Sequence, residues 1–343
     1  MIENNTNNLN NENTITARVS AVHKERYELF TDDPNNPFYG KLKMGIYKRG
    51  VEPYPTTGDY VSVAYNPSGD SMITATLPRH SYFSRRDPDP RLQRDQAVAA
   101  NFDFIFIMQS LNQDFNVRRV ERYLTMAWHS GATPIIILTK VDLVDDYSEQ
   151  LKALETVAMG VDAVVVSAKT GVGLRELEKI LQPGKTCVFL GSSGVGKSSL
   201  LNALMGNDIM VVKEIREDDA KGRHTTTHRQ LVALPNGAYI IDTPGMRELG
   251  MWDASEGLSD VFSDIESLLG KCKFSDCRHQ SEPGCVIKEA IENGEITQER
   301  LNNYEKLRRE VLYAEDKVAA MRERAATNKE ILTWWRNRDK EIW

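Results

Sequence analysis

The 343-residue sequence predicts a multidomain α/β chain: a small β-barrel, a parallel-rich sheet with helices on both faces, and a helical region around a cluster of metal-ligand residues. Three patterns predict it. Short apolar runs broken by turn formers extend to about residue 77, strand and helix patterns alternate from residue 101, and three of the four cysteines fall between positions 272 and 285. A chain of this length can bury two or three separate cores. Its net charge of -6 gives no overall attraction to nucleic acid, so any such contact must come from local basic patches.

Met1 to Thr14 holds seven Asn and almost no apolar side chains, which predicts a disordered lead-in rather than a signal peptide. In residues 15–80, Ala17 to Val22, Tyr27 to Phe30 and Gly58 to Val63 read as short strands. Several short twisted strands must close on themselves to protect their edges. A five-stranded OB-type barrel is a compact solution, with an SH3-like barrel as the alternative that spacing leaves open. Residues 81–97, with Pro88, Pro90 and four arginines among acids, read as a linker.

The second domain is expected over 98–252. Its apolar strands are Phe102 to Met108, Pro134 to Leu138, Ala163 to Val166 and Cys187 to Leu190. Helical spacing marks Val117 to His129, Tyr147 to Ala158 and Leu174 to Leu181. Arg229 to Leu234 and Ala238 to Asp242 form a hairpin pattern around Asn236-Gly237. From 253 to 343 a helical stretch, Leu258 to Leu269, leads into the cysteine cluster and then into charged helices. Ten basic and eight acidic residues from Leu301 onward are balanced enough to read mostly as solvated helix surface. No apolar run approaches the roughly 18 to 20 residues that span a bilayer, so a cytoplasmic protein is expected, monomeric by default.

Four motifs carry chemistry. Gly191-Ser192-Ser193-Gly194-Val195-Gly196-Lys197-Ser198, followed by Ser199, lies between a strand and a helix, as a phosphate loop requires. Its glycines let backbone N–H groups curl around phosphates, Lys197 neutralises β and γ oxygens, and Ser198 supplies a Mg2+ ligand. Asp242-Thr243-Pro244-Gly245 follows. Asp242 is placed to hold Mg2+ through water, and the Gly245 amide to meet the γ-phosphate. Between them, Lys221 to Thr227 is polar, as a switch ordered by γ-phosphate and Mg2+ should be, and Thr226 is the expected metal-shell hydroxyl. Thr139-Lys140-Val141-Asp142 reads the base, because the Asp142 carboxylate can accept from both guanine N1–H and N2–H2, groups adenine lacks. Thr139 stands where Asn is commonest, which leaves room for a weaker hold on the base. Ser167-Ala168-Lys169 closes the pocket with backbone donors toward O6.

The base-reading motifs precede the phosphate loop, whereas an ordinary small GTPase has the loop first. The set is complete but rearranged, which predicts a circularly permuted P-loop GTPase domain. Hydrolysis needs a group that orients the attacking water, usually a Gln just after D-x-x-G, and here that position is Met246. A thioether cannot direct a water, so slow intrinsic turnover is expected. His224 reads two ways, as a water-positioning imidazole or as an exposed switch histidine.

Cys272, Cys277, His279 and Cys285 follow C-x4-C-x-H-x5-C. Three thiolates and one imidazole make a closed tetrahedral Zn2+ shell of the structural type. Lys271, Lys273 and Arg278 add local positive charge suited to RNA docking.

Barrel, permuted GTPase domain and knuckle, in that order, resemble the bacterial RsgA (YjeQ) family of small-ribosomal-subunit-dependent GTPases. The likeness rests on Gly222 to Thr227, the D-T-P-G motif, the phosphate loop and the metal cluster together. It implies a late assembly factor of the small subunit, weak in GTP hydrolysis alone and stimulated by the subunit and its rRNA, with a role in releasing other assembly factors. It also implies His224 as the water-positioning residue and Thr226 as the switch threonine; Lys197, from the phosphate-loop chemistry, is the third catalytic group expected. Two other classes stand beside it: an RNA-binding scaffold holding GTP as a structural ligand, and a GTPase switch for a non-ribosomal protein.

Overall fold

The computed structural model describes residues 14–24, 26–47, 53–86, 95–112, 114–206, 230–242, 255–280 and 282–312. The chain divides into two compact units, Met1–Asn116 with Ser130–Glu248, and Val117–His129 with Leu249–Trp343.

The first unit begins with β1 (Thr14–Val22), β2 (Tyr27–Phe30), β3 (Phe38–Leu42), a single turn of helix α1 (Met44–Tyr47), β4 (Tyr60–Ala64) and β5 (Ser71–Thr76). Their order is β1-β2-β3-β5-β4, and β4 pairs back onto β1 from Thr14↔Ala64 to Arg18↔Tyr60, which closes the circuit. All pairs are antiparallel except β3 with β5. This closed five-strand barrel is of the OB type, the first of the two barrels the spacing allowed. Alternate residues point inward, so Ala17, Val19, Leu29, Val61, Val63 and Ile73 fill the interior with Tyr27 and Tyr47. The strands β3 and β5 were not legible in the sequence, because Gly40, Lys41 and the threonines interrupt their apolar pattern.

Next come β6 (Tyr82–Arg86) and β7 (Asp95–Ala100), which pair antiparallel as a two-stranded sheet. The stretch read as a linker thus carries paired strands at both ends. Buried Phe83, Val98, Ala99 and Ala100 anchor them, whereas the proline-rich middle that suggested a tether lies outside the described residues.

The second sheet segment contains β8 (Phe104–Ser110), β9 (Thr133–Thr139), β10 (Ala163–Val165), β11 (Thr186–Gly191), β12 (Gln230–Ala233) and β13 (Tyr239–Asp242). Between β8 and β9 runs α2 (Val117–His129); α3 (Ser148–Glu155), α4 (Leu174–Ile180) and α5 (Lys197–Met205) follow. Spatially the strands run β10-β9-β8-β11-β13-β12, parallel throughout except that β12 is antiparallel to β13. Counting from the phosphate-loop strand β11 as the first, this is one doubly wound sheet whose chain is cut elsewhere: connectivity is permuted and strand neighbours are not. One face packs Phe106 on Phe189, ring centroids 5.9 Å apart, with Met108, Ile135, Ile137, Leu177, Leu200 and Leu201.

Barrel and sheet are continuous through β1, which meets β12 at Ala21↔Gln230. Arg18 secures this junction. Its side chain is buried, with Nη2 donating to Asn101 O at 2.9 Å and Thr186 Oγ1 at 2.8 Å, and Nε donating to Gly58 O at 3.3 Å. Its guanidinium lies 5.1 Å from the Tyr60 ring centroid and 5.0 Å from that of Tyr239. Burial lowers its pKa from the usual arginine value, opposed by the Tyr60 and Tyr239 hydroxyls and then by Asp103 and Asp59. Arg18→Ala should remove the donor from buried Asn101 O and Thr186 Oγ1 and cost about 2–4 kcal/mol, read as a lower urea midpoint at unchanged slope; an unchanged midpoint would remove Arg18 from this role.

The second unit assembles α2 with α6 (Ser255–Val261), α7 (Ser263–Glu266), α8 (Val286–Glu292) and a helix described over 298–312. Although α2 lies between two strands of the sheet in sequence, its packing is with this unit. At its centre, nearly buried Arg300 donates through Nη1 to Glu121 Oε1 at 2.6 Å, and through Nε and Nη2 to the two oxygens of Asp264 at 2.7 and 2.9 Å. Burial pushes the Glu121 carboxyl up, against the pull of Arg300 and Arg118. A Cβ on Gly257 would lie 2.1 Å from Thr125 O, so only glycine lets α6 approach α2 this closely. Among the described residues no helix is long and apolar enough to cross a membrane.

Candidate functional site

Parallel strands end on one edge of the sheet, and ligands of such sheets bind beyond those carboxyl ends. The loop after β11 turns into α5 through Gly194 at φ 78° and Gly196 at φ 109°, values that favour glycine. A Cβ on Gly191 would approach Met108 O to 2.9 Å, so the loop starts against the backbone of β8. Lys197 Nζ donates to Gly191 O and Ser192 O, both at 2.7 Å, which sets its ammonium at the mouth of the loop. Ser198 and Ser199 follow on the first turn of α5. Asp242 ends β13 and is buried; burial pushes its carboxyl up, and the Lys197 ammonium opposes that shift.

The base-reading residues leave β9 at the same edge. Lys140 adopts left-handed φ 62° and ψ 38°, turning the strand into the short 3-10 turn Val141–Leu143 that presents Asp142. A non-glycine residue held there costs of order 1–3 kcal/mol, and such strain clusters at binding sites. Ser167 Oγ donates to Asp142 Oδ1 at 2.6 Å and accepts from Thr170 N at 3.1 Å. Val141 N donates to Val166 O at 3.3 Å, so the two base-reading segments are tied together. The Ser167-Ala168-Lys169 loop returns through Gly173, where a Cβ would stand 2.1 Å from Val165 O.

Thr139 also makes a contact that its motif position did not suggest. Its hydroxyl donates to Val195 O at 2.6 Å, with Gln109 O at 3.4 Å. It therefore braces the phosphate loop from the base-reading strand. Asp114 is a residue that motif reading missed: its Oδ2 accepts from Ser192 Oγ at 2.6 Å. No local pattern marks it, since the two residues stand 78 positions apart. His224, Thr226, Gly245 and Met246 lie outside the described residues.

The second site is in the other unit. The ligand atoms of Cys272, Cys277, His279 and Cys285 all lie within 4.8 Å of one another. His279 Nδ1 stands 3.6 Å from Cys272 Sγ, 3.6 Å from Cys277 Sγ and 3.4 Å from Cys285 Sγ, and Cys272 Sγ is 3.9 Å from Cys285 Sγ. A tetrahedral ion with metal–sulfur bonds of about 2.3 Å and metal–nitrogen bonds of about 2.0–2.1 Å needs edges of about 3.8 and 3.6 Å. The cluster therefore has the dimensions of a metal shell. Gly284, at φ 73°, returns the chain, with Lys273 N donating to Gly284 O at 3.0 Å. Glu282 braces the turn by accepting from Arg278 N at 3.1 Å and Gln280 N at 2.9 Å. Cys285 begins α8.

The comparisons with known proteins agree with this architecture. A family model described as RsgA GTPase matches residues 76–252. A model described as ABC transporter matches residues 174–339, less than half of the chain, a span that includes the phosphate loop common to P-loop proteins. The Small ribosomal subunit biogenesis GTPase RsgA 2 of Listeria monocytogenes is 49% identical over 298 residues, 87% of this chain and 84% of that protein. The protein of the same name from Lactiplantibacillus plantarum is 46% identical over 299 residues, again 87% of this chain and 84% of that protein. The crystal structure of YjeQ from Thermotoga maritima aligns with TM-score 0.64 and 29% identity, over 87% of this chain and 99% of that one. The structure of YloQ, a circularly permuted GTPase, aligns with TM-score 0.58 and 23% identity over 89% and 96%, a likeness of fold.

Proposed function

The chain belongs to the RsgA GTPase family and is a GTP hydrolase, and from that premise we propose that it acts in the cytoplasm in late maturation of the small ribosomal subunit. The observation that carries the nucleotide half is the convergence of Lys197, Asp242 and Asp142 on one sheet edge, with Thr139 bonded to the loop at Val195. The partner half rests on relatives named for small-subunit biogenesis across 87% of this chain.

In this reading the phosphate loop of residues 191–199 binds the polyphosphate through its backbone amides, and Lys197, held at the Gly191 and Ser192 carbonyls, meets the β and γ oxygens from there. Asp142 accepts from guanine N1–H and N2–H2, Lys140 covers the ring, and Ala168 and Lys169 offer amides toward O6. Ser198, Thr226 and Asp242 are hard oxygen donors that fit Mg2+, which when bound neutralises charge on the phosphates. His224 orients the attacking water. The Cys3His shell fits one structural Zn2+, which leaves no position for a substrate. The domain boundaries near 80, 97 and 252 belong to the same reading, with barrel and knuckle as the surfaces for rRNA and the nucleotide state governing docking and release.

Turnover measured with and without purified small subunits tests the proposal. A rise of at least about 10-fold is expected, modest beside the roughly 10³–10⁵ supplied by an arginine finger; equal rates would remove the ribosomal partner. His224→Ala should keep GTP affinity and lose the stimulated component. Retained stimulation would return His224 to an exposed switch residue.

A further inference from the structure

Among the described residues, Thr139 and Asp114 each hold the phosphate loop from outside by a side-chain hydrogen bond, and Asp114 brings a charge. Thr139 Oγ1 donates to Val195 O, a neutral contact at 2.6 Å. Ser192 Oγ donates to Asp114 Oδ2, also at 2.6 Å, within the range of a hydroxyl bonded to an ionised carboxylate. Asp114 is held in place by the turn that follows β8. There Asn112 Oδ1 accepts from Asp114 N at 3.1 Å and from Ser110 Oγ at 2.7 Å, and Phe115 N donates to Asn112 O at 3.1 Å. Asp114 belongs to none of the nucleotide motifs, yet it places a carboxylate against the second residue of the loop.

The end of the loop it touches matters. Lys197 Nζ lies 2.7 Å from both Gly191 O and Ser192 O. The lysine of this motif meets the β and γ oxygens of a bound nucleotide, so the terminal phosphate of GTP lies toward the Gly191–Ser192 end. A fixed negative charge there opposes a triphosphate more than a diphosphate, because the triphosphate brings more charge and brings it closer.

We propose that Asp114 is a specificity-determining residue of the GTPase site: its charge lowers affinity for GTP relative to GDP, while its bond to Ser192 holds the start of the loop. The inference rests on the phosphate-loop reading of residues 191–199. Charge and brace are separable by substitution. Asp114→Asn keeps an acceptor for Ser192 and removes the charge, whereas Ser192→Ala keeps the charge and removes the bond.

The test is equilibrium titration of the full chain with fluorescent GDP and a fluorescent non-hydrolysable GTP analogue, with Mg2+ present. In Asp114→Asn the analogue should tighten by about 3- to 10-fold relative to GDP, and the gain should shrink as ionic strength rises. Ser192→Ala should weaken both ligands alike and leave their ratio where it was. A ratio in Asp114→Asn equal to that of the wild type, whether both affinities move together or neither moves, overturns the proposal. A wild-type chain that binds neither ligand would instead overturn the site reading on which it rests.

Discussion

Asp142→Asn should lower GTP affinity by about 10²- to 10³-fold, or about 3–4 kcal/mol, while xanthosine triphosphate binds the variant better than GTP does. The size of the effect comes from preorganisation. Asp142 Oδ1 accepts from Ser167 Oγ at 2.6 Å, and Ser167 is itself fully buried and fixed by Thr170 N at 3.1 Å and by its own amide on Val172 O at 3.0 Å. A carboxylate held this way meets the two guanine donors without ordering cost on binding. An Asn amide in its place turns one acceptor into a donor facing donors, and a buried unpaired polar group is what makes discrimination large. Xanthine carries an oxygen where guanine carries N2–H2, so it accepts from that new donor. Competition binding of the two nucleotides reads the result, and undiminished GTP affinity would mean that Asp142 does not read the base.

Loss of the metal should have a comparably large effect on the other unit. Wild-type protein is expected to carry one Zn2+ per chain by elemental analysis, and Cys285→Ser to carry none. Structural Zn2+ contributes apparent binding energies of about 10–16 kcal/mol in small zinc modules, so its removal should unfold the knuckle outright. The consequence should spread into α8, because Cys285 begins that helix and the backbone N–H groups of Val286 and Ile287 bond to Cys272. Hydrogen exchange should therefore show protection lost along α8 in Cys285→Ser or after chelation. Metal-free wild-type protein with α8 fully protected would exclude a structural metal. Lowering the pH should weaken the site in the same direction, since thiolate and neutral imidazole are the ligating forms.

Much of the candidate site was legible in the sequence because its chemistry is local. The phosphate loop needs glycines at positions of positive φ a few residues apart, as Gly194 and Gly196 show. The cysteine and histidine spacing closes a shell within 14 residues of chain, and the order of the motifs alone revealed the permutation. The barrel was half legible: β1, β2 and β4 were readable as short strands, but β3 and β5 become strands through tertiary pairing, with β2 and β4 and with one another from Gly40↔Ser71 to Leu42↔Ile73. The same holds for residues 82–86, which pair with 95–100 although the intervening composition suggests a tether.

By itself the sequence determined which nucleotide chemistry this chain carries, that its motif order is permuted, and which four residues form the metal cluster, since each depends on residue type at short spacing. Tertiary structure alone decided what those residues lean on. Thr139 bonds to Val195, 56 positions away, and Asp114 to Ser192, 78 positions away. Likewise α2, flanked in sequence by sheet strands, packs in the C-terminal unit through Glu121 and Arg300, 179 positions apart. The physical reason is the same in each case: a hydroxyl or carboxylate satisfies itself with whichever group the fold brings within about 3 Å, and sequence distance carries no record of that choice.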